Sequence, residues 1–261
     1  MKGTIAATFI EPTFRVTKIR HRPRSRAGAE TSDNWSGAVA YRPGNDTNNP
    51  IMDVSGKWTV PSVTSPDGGT PPIVGFRCSN WIGIDGDGSS DLVQAGVECD
   101  LFSDGPSTFP WFEWLPYDPT EIEIMGMPVS PGDVVFCSIS ITHTDSPSVP
   151  HNDTATIFLQ NTTTSKIVSF AISSPANQHL VGNCAEWIVE RPIVGTTLTQ
   201  LPNYGSVTFQ GCLTGSADWG GEPGLASTNA NSINMHDDTR TRTISEGSIP
   251  AVATVTCNFT G

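Results

Sequence analysis

The chain has 261 residues, enough to bury a full hydrophobic core in one large domain or two small ones. Its 25 glycines and 21 prolines favour frequent turns over long helices. Its formal charge of −12 argues against a nucleic-acid partner, and no apolar run is long enough to span a bilayer, so neither nucleic acid nor membrane is expected as a partner.

The charge is unevenly spread from the start of the chain. Residues 1–26 hold seven of the fourteen basic residues, among them Arg20, Arg22 and Arg24, and one acid, Glu11. The remainder holds seven basic against twenty-five acidic residues, a formal −18. Residues 1–30 therefore read as a flexible basic arm or a prosegment, and residues 31–261 as a single β-sandwich domain. A cationic segment lying over an acidic cleft would leave when the carboxylates protonate. The apolar stretch Ile5 to Ile10 is short, polar and ended by Glu11, a poor signal-peptide core.

Strand patterns follow in chain order. Leu92, Gln94 and Gly96 share one face of a strand, as do Trp111 and Glu113. Glu121-Ile-Glu-Ile, Val134 to Ile141 and Ser206-Val-Thr-Phe read as further strands, as does Ala251 to Thr256. Thr154 to Gln160 and Ile167 to Ile172, joined by the polar stretch Asn161 to Lys166, read as a hairpin. In Ala185-Glu-Trp-Ile-Val-Glu190 one face carries Glu186, Ile188 and Glu190. The whole predicts an all-β, two-sheet antiparallel sandwich. Desolvating a polar group without a partner costs roughly 2 kcal/mol or more, so Gln and Glu recurring beside tryptophans point to a concave site rather than to core.

Six cysteines permit three disulfides, and none forms a CxxC pair that would suggest zinc. The five histidines are scattered, so no metal and no cofactor are expected. Asp85-Gly-Asp87-Gly-Ser-Ser-Asp91 begins like a calcium loop, but its sixth position is Ser90 and its twelfth Gly96, which excludes an EF-hand.

Six segments taken together are more specific. Asn34-Trp-Ser-Gly-Ala, Trp58-Thr-Val-Pro-Ser-Val, Trp81-Ile-Gly-Ile-Asp85-Gly, Val93-Gln94-Ala-Gly-Val, Trp111-Phe-Glu113-Trp and Ala185-Glu-Trp-Ile-Val-Glu190 occur in this order. The chain in this respect resembles the glutamic peptidases, or eqolisins, from about residue 33 to the C-terminus. The resemblance implies a lectin-like (concanavalin A-like) sandwich and a secreted, pepstatin-insensitive acid endopeptidase, monomeric and made with a prosegment, that acts on proteins or peptides. It also implies that Gln94 and Glu190 are the catalytic pair, and that a disulfide joins Cys78 to Cys99.

In the implied scheme Glu190 takes a proton from the attacking water and passes it to the leaving amine, while Gln94 orients that water and stabilises the oxyanion. Position on the strand does not choose between Glu186 and Glu190; the resemblance chooses Glu190. Trp81, Asp85, Trp111 and Glu113 are expected to contact substrate, and Trp58, Trp114 and Trp187 to belong to the core. Phe109 and Leu115 depart from the residues that the family tends to carry there, and the stretch from Trp81 to Gln94 is about one residue short. The alternative is a lectin-like sandwich that binds or hydrolyses polysaccharide, for which Gln94 would be dispensable.

Overall fold

A computed structural model describes residues 7–24, 30–42, 49–146, 149–175, 180–216 and 230–261. Its described residues form strands and turns with no α-helix. Two antiparallel sheets stack face to face. The first runs, strand beside strand, through Ala230–His236, Trp35–Tyr41, Cys184–Glu190, Phe76–Ile84, Leu92–Phe102, Gly105–Leu115 and Ile122–Met125. The second runs through Lys166–Ser173, Val149–Asn161, Val134–Ser146, Asp53–Thr59, Ser206–Gly215, Thr254–Phe259 and Thr243–Ala251.

Alternation places the main core between them. Ile82, Ile84, Val93, Ala95, Val97, Trp187 and Val189 of the first sheet meet Val54, Trp58, Val135, Ile139, Val207 and Phe209 of the second, all buried. Trp114 lies in the same core, as its sequence context predicts. Trp187 donates its indole N–H to Ser55 O at 2.8 Å. Its ring packs so closely on Gly56 that a Cβ there would lie 3.0 Å from Cδ1 and from Nε1.

The expected hairpin is present: Val149–Asn161 pairs with Lys166–Ser173. The strand expected over Ala251 to Thr256 is not one strand. Thr243–Ala251 ends where a turn begins, with Val252 exposed and Ala253 at φ 54°, and Thr254–Phe259 runs back beside it. Small β-prone residues therefore disguised a reversal.

The cysteine expectation also needs correction. All six are buried free thiols, so the Cys78–Cys99 bridge is not formed. The two residues do pair directly across neighbouring strands. The Asn80 side chain engages both sulfurs, accepting from Cys78 Sγ at 3.9 Å and donating to Cys99 Sγ at 3.5 Å.

The arm is threaded onto both sheets. Thr8–Phe9 adds a parallel edge strand beside Lys166–Ser173, and Thr13–Val16 pairs antiparallel with Ile122–Met125. Ile19–Arg20 then joins a small sheet with Ile193–Val194. These pairings carry residues 21–24 across the face of the first sheet that points away from the core.

Candidate active site

That outer face is built from three cross-strand rows. Glu186, Gly83, Gln94 and Glu113 form one; Ile188, Trp81, Gly96 and Trp111 form the next; Glu190, Ser79, Glu98 and Phe109 form the third. Trp35, Trp81, Leu92, Trp111 and Ile188 make a second apolar cluster here, with Phe109 and Leu115 packed against it. Gly96 lets its strand lie hard against the neighbouring strand at Asn80 and Trp81. A Cβ at Gly96 would fall 2.3 Å from the Asn80 carbonyl oxygen and 2.6 Å from Trp81 Cβ. Backbone cannot yield as a flexible side chain can, so Gly96→Ala is expected to cost roughly 3 kcal/mol or more, read as a lowered urea midpoint. An unchanged midpoint would mean that the two strands separate easily, contrary to this packing.

Glu190 is 1% exposed and tightly held. Asn34 Nδ2 donates to its Oε1 at 2.8 Å, and Trp81 Nε1 donates to its Oε2 at 3.0 Å. Asn34 is in turn fixed by its backbone: its N–H donates to Ser32 Oγ at 3.3 Å and its carbonyl accepts from Arg191 N at 3.0 Å. Gln94 Nε2 donates to Glu113 Oε2 at 2.8 Å, while Gln94 Oε1 has no partner among the described residues. Burial pushes Glu113 up to about 8, with the charge of His21 opposing and those of Glu121 and Glu190 adding to the rise. Glu113 thus joins the Gln94 pair electrostatically to the Glu190 group.

Glu186 sits in a different setting. It lies in the same row as Gln94, but the gap above Gly83 is occupied by Trp81 Cζ3 and Leu92 Cδ1, each 2.9 Å from where a Cβ would be. Both its carboxyl oxygens lack a hydrogen-bond partner among the described residues. Burial pushes Glu186 well up, and Asp85 and Asp87 add to this. It therefore holds its proton more tightly than an ordinary carboxyl. Asp85 accepts backbone N–H groups from Gly182 at 2.9 Å and Asn183 at 2.8 Å, so it anchors the loop that leads into Cys184–Glu190.

The residue that sequence reasoning missed is His21. Its ring stacks on Trp111, with centroids 4.1 Å apart and planes 8° from parallel. Nδ1 lies 3.0 Å from Glu190 Oε2, and Nε2 lies 3.1 Å from Glu121 Oε2. Burial opposes its charge, but Glu190 and Glu121 outweigh that and raise its pKa well above the usual value, so both nitrogens donate. Arg22 N also approaches Glu190 Oε1, at 3.4 Å. Three flanking arginines in an otherwise acidic chain were the only sequence signal for this histidine. Asn34 was within a recognised segment, yet nothing there marked its side chain as a carboxylate ligand.

His21, Glu98 and Glu121 bring three possible metal-ligand atoms within 4.8 Å of one another. The imidazole already spends Nε2 on Glu121, and Glu98 lies beside Asp100, whose pKa is pushed well up by burial and by Glu98. Beside the arm an open cavity of about 480 Å³ remains, lined by Arg20 to Arg24, Ser89, Ser90, Leu115, Pro116 and Ile193.

The chain is thus a two-sheet sandwich whose outer face carries a carboxylate clamped by an indole and an amide. The Peptidase A4 family matches residues 33–259, and the chain belongs to that family. It is 32% identical over 198 residues to aspergillopepsin-2 of Aspergillus niger, an alignment covering 69% of this chain and 63% of that relative's length. Among solved structures, scytalido-glutamic peptidase with a peptide-based transition state analog superimposes with a TM-score of 0.65 at 23% identity, covering 88% of this chain and 99% of that one. Aspergilloglutamic peptidase from Aspergillus niger superimposes with a TM-score of 0.54 at 27% identity, covering 71% and 99%.

Proposed function

We propose that this chain is an acid endopeptidase that hydrolyses peptide bonds with Glu190 and Gln94. The observation that carries this reading is the double clamp of Asn34 and Trp81 on Glu190, on the same face of the sheet as the Gln94–Glu113 pair. A general base must be held in place with its lone pairs accessible to water. Glu190 has donors that hold it, and Glu186 has none among the described residues. Scytalido-glutamic peptidase, solved with a peptide-based transition state analog, and SCP-B of the eqolisin family, solved with the tripeptide Ala-Ile-His, support peptide as the substrate class.

Glu190 as carboxylate removes a proton from water as the oxygen attacks the scissile carbonyl. The amide N–H of Gln94 stabilises the resulting oxyanion, a donor worth roughly 3 kcal/mol in such a site. The proton now on Glu190 passes to the leaving nitrogen, the C–N bond breaks, and the carboxylate is regenerated. Burial keeps Glu113 protonated in acid, so it can donate to Gln94 Oε1 or accept from Nε2 without adding a second negative charge.

The arm makes the chain a zymogen in this reading. His21 covers Trp111 and occupies Glu190, while Arg24 pairs with Asp87 and Arg15 with Glu123. In acid the imidazolium keeps its charge while Glu121, raised to about 7 by burial, loses its own. A buried cation that loses one of its two anions is destabilised, so the arm leaves. The mature protein is a secreted monomer.

The test is hydrolysis of an unfolded protein from pH 2 to 7 with pepstatin present, before and after acid incubation. We expect pepstatin-resistant activity below about pH 5 that appears only after acid treatment, and a loss of roughly 10²–10³ in Gln94→Ala. Absence of proteolysis at every pH would refute the reading. Full activity without acid treatment would refute the zymogen part alone.

A further inference from the structure

The arm fills a second charged seat three residues beyond His21. Arg24 pairs with the turn after Phe76–Ile84 as an added strand would. Its N–H donates to Gly86 O at 2.7 Å, and its carbonyl accepts from Gly88 N at 2.8 Å. The bridge is parallel and opposite Asp87. Such main-chain pairing supplies affinity for any extended peptide and leaves side-chain pockets to supply preference.

The pocket here is acidic and closed. Arg24 is 6% exposed, with Nη1 3.1 Å from Asp87 Oδ1. Asp87 is fully buried and also accepts from the Tyr41 hydroxyl. Glu186, fully buried, lies on the neighbouring strand opposite Gly83, and neither of its oxygens has a partner among the described residues. One guanidinium therefore meets an anchored, buried Asp87. Guanidinium stays charged at any acid pH and carries five donors, so it suits this seat better than an imidazole or a neutral side chain.

We propose that this seat is a substrate subsite selective for arginine, with Asp87 as the residue that sets the preference. A favoured peptide carries arginine three residues C-terminal to the side chain that rests on Trp111 beside Glu190. Residues 21–24 then lie in the cleft as a substrate-like segment rather than only as a plug. The inference rests on the peptidase reading above and names the substrates of that same site.

The experiment uses the full chain after acid incubation, assayed at pH 4 on alanine-rich peptides with one phenylalanine. A single arginine is moved one position at a time, with norleucine as the neutral control. Arginine three residues after the phenylalanine should raise kcat/KM by roughly tenfold or more over norleucine, the scale of one hydrogen bond to a charged group. Other positions should raise it little. In Asp87→Asn the arginine-to-norleucine ratio should fall toward one. Equal cleavage of arginine and norleucine peptides at every position by the wild type would overturn the inference and leave the peptidase reading standing. Cleavage of neither peptide, where the unfolded-protein assay also fails, would remove both. The positional scan on wild type decides the matter even if the variant does not fold.

Discussion

Glu190→Gln should remove acid proteolysis, by a factor on the order of 10³ or more, and leave the fold intact. The amide is nearly isosteric with the carboxyl, and its single oxygen can still accept from one of Asn34 and Trp81, which now hold the two oxygens of Glu190 at 2.8 and 3.0 Å. What it cannot do is take a proton from water. The same change takes away the anion facing His21, so the arm should also dissociate more readily from this variant. A thermal melt of the acid-treated protein checks folding, and the pepstatin-resistant assay checks activity. Substantial activity in Glu190→Gln would overturn the assignment of the base. Glu186 is a poorer replacement, since it is buried, has no donor among the described residues and is separated from Gln94 by Trp81 and Leu92.

Folding stability should fall steeply as pH rises from about 4 to 8, the reverse of acid denaturation. Burial raises Glu113 to about 8, Glu121 to about 7 and Asp85 to about 6, and pushes Glu186 and Asp100 well up. A carboxyl whose folded pKa lies above its unfolded value holds its proton in the native state and gives it up on unfolding. Its stabilising contribution is complete below the unfolded pKa and is lost as pH climbs through the folded one. His21, raised by Glu190 and Glu121 against the pull of burial, acts in the same direction. At about 1.4 kcal/mol per pKa unit, several such groups together make the loss several kcal/mol, even allowing for coupling between them. Urea midpoints at pH 4 and pH 8 test this. A midpoint at pH 8 equal to or above that at pH 4 would show that these acids ionise without cost in the native state. Glu113→Gln, which stays neutral throughout, should flatten the profile.

Both predictions turn on residues that were unequally legible in the sequence. Gln94, Glu113 and Glu190 stood out because alternation put polar groups on faces shared with tryptophans, where an ordinary buried strand would carry aliphatic side chains. Trp58, Trp114 and Trp187 lie in the main core as expected, and Trp81 and Trp111 lie in the second cluster on the outer face. The turn at Val252-Ala253 was hidden, because nothing in a run of small β-prone residues marks a reversal. The Cys78–Cys99 pairing had the right neighbours, yet the chain keeps free thiols there with Asn80 between them. Glu121 read as the first residue of a strand, and its role as the second anion for His21 depends on a contact across 100 positions.

The sequence by itself determined the all-β class, the strands that carry the acids, and the split between a basic arm and an acidic body. Those properties are local, since two-residue periodicity and charge composition are written in consecutive residues. Only the tertiary structure decided which carboxylate is clamped and where the arm lies. Asn34 and Glu190 are 156 positions apart, and His21 and Glu190 are 169 apart. Strand register alone brings such residues within hydrogen-bonding distance, and register is set by how the two sheets bury their faces together.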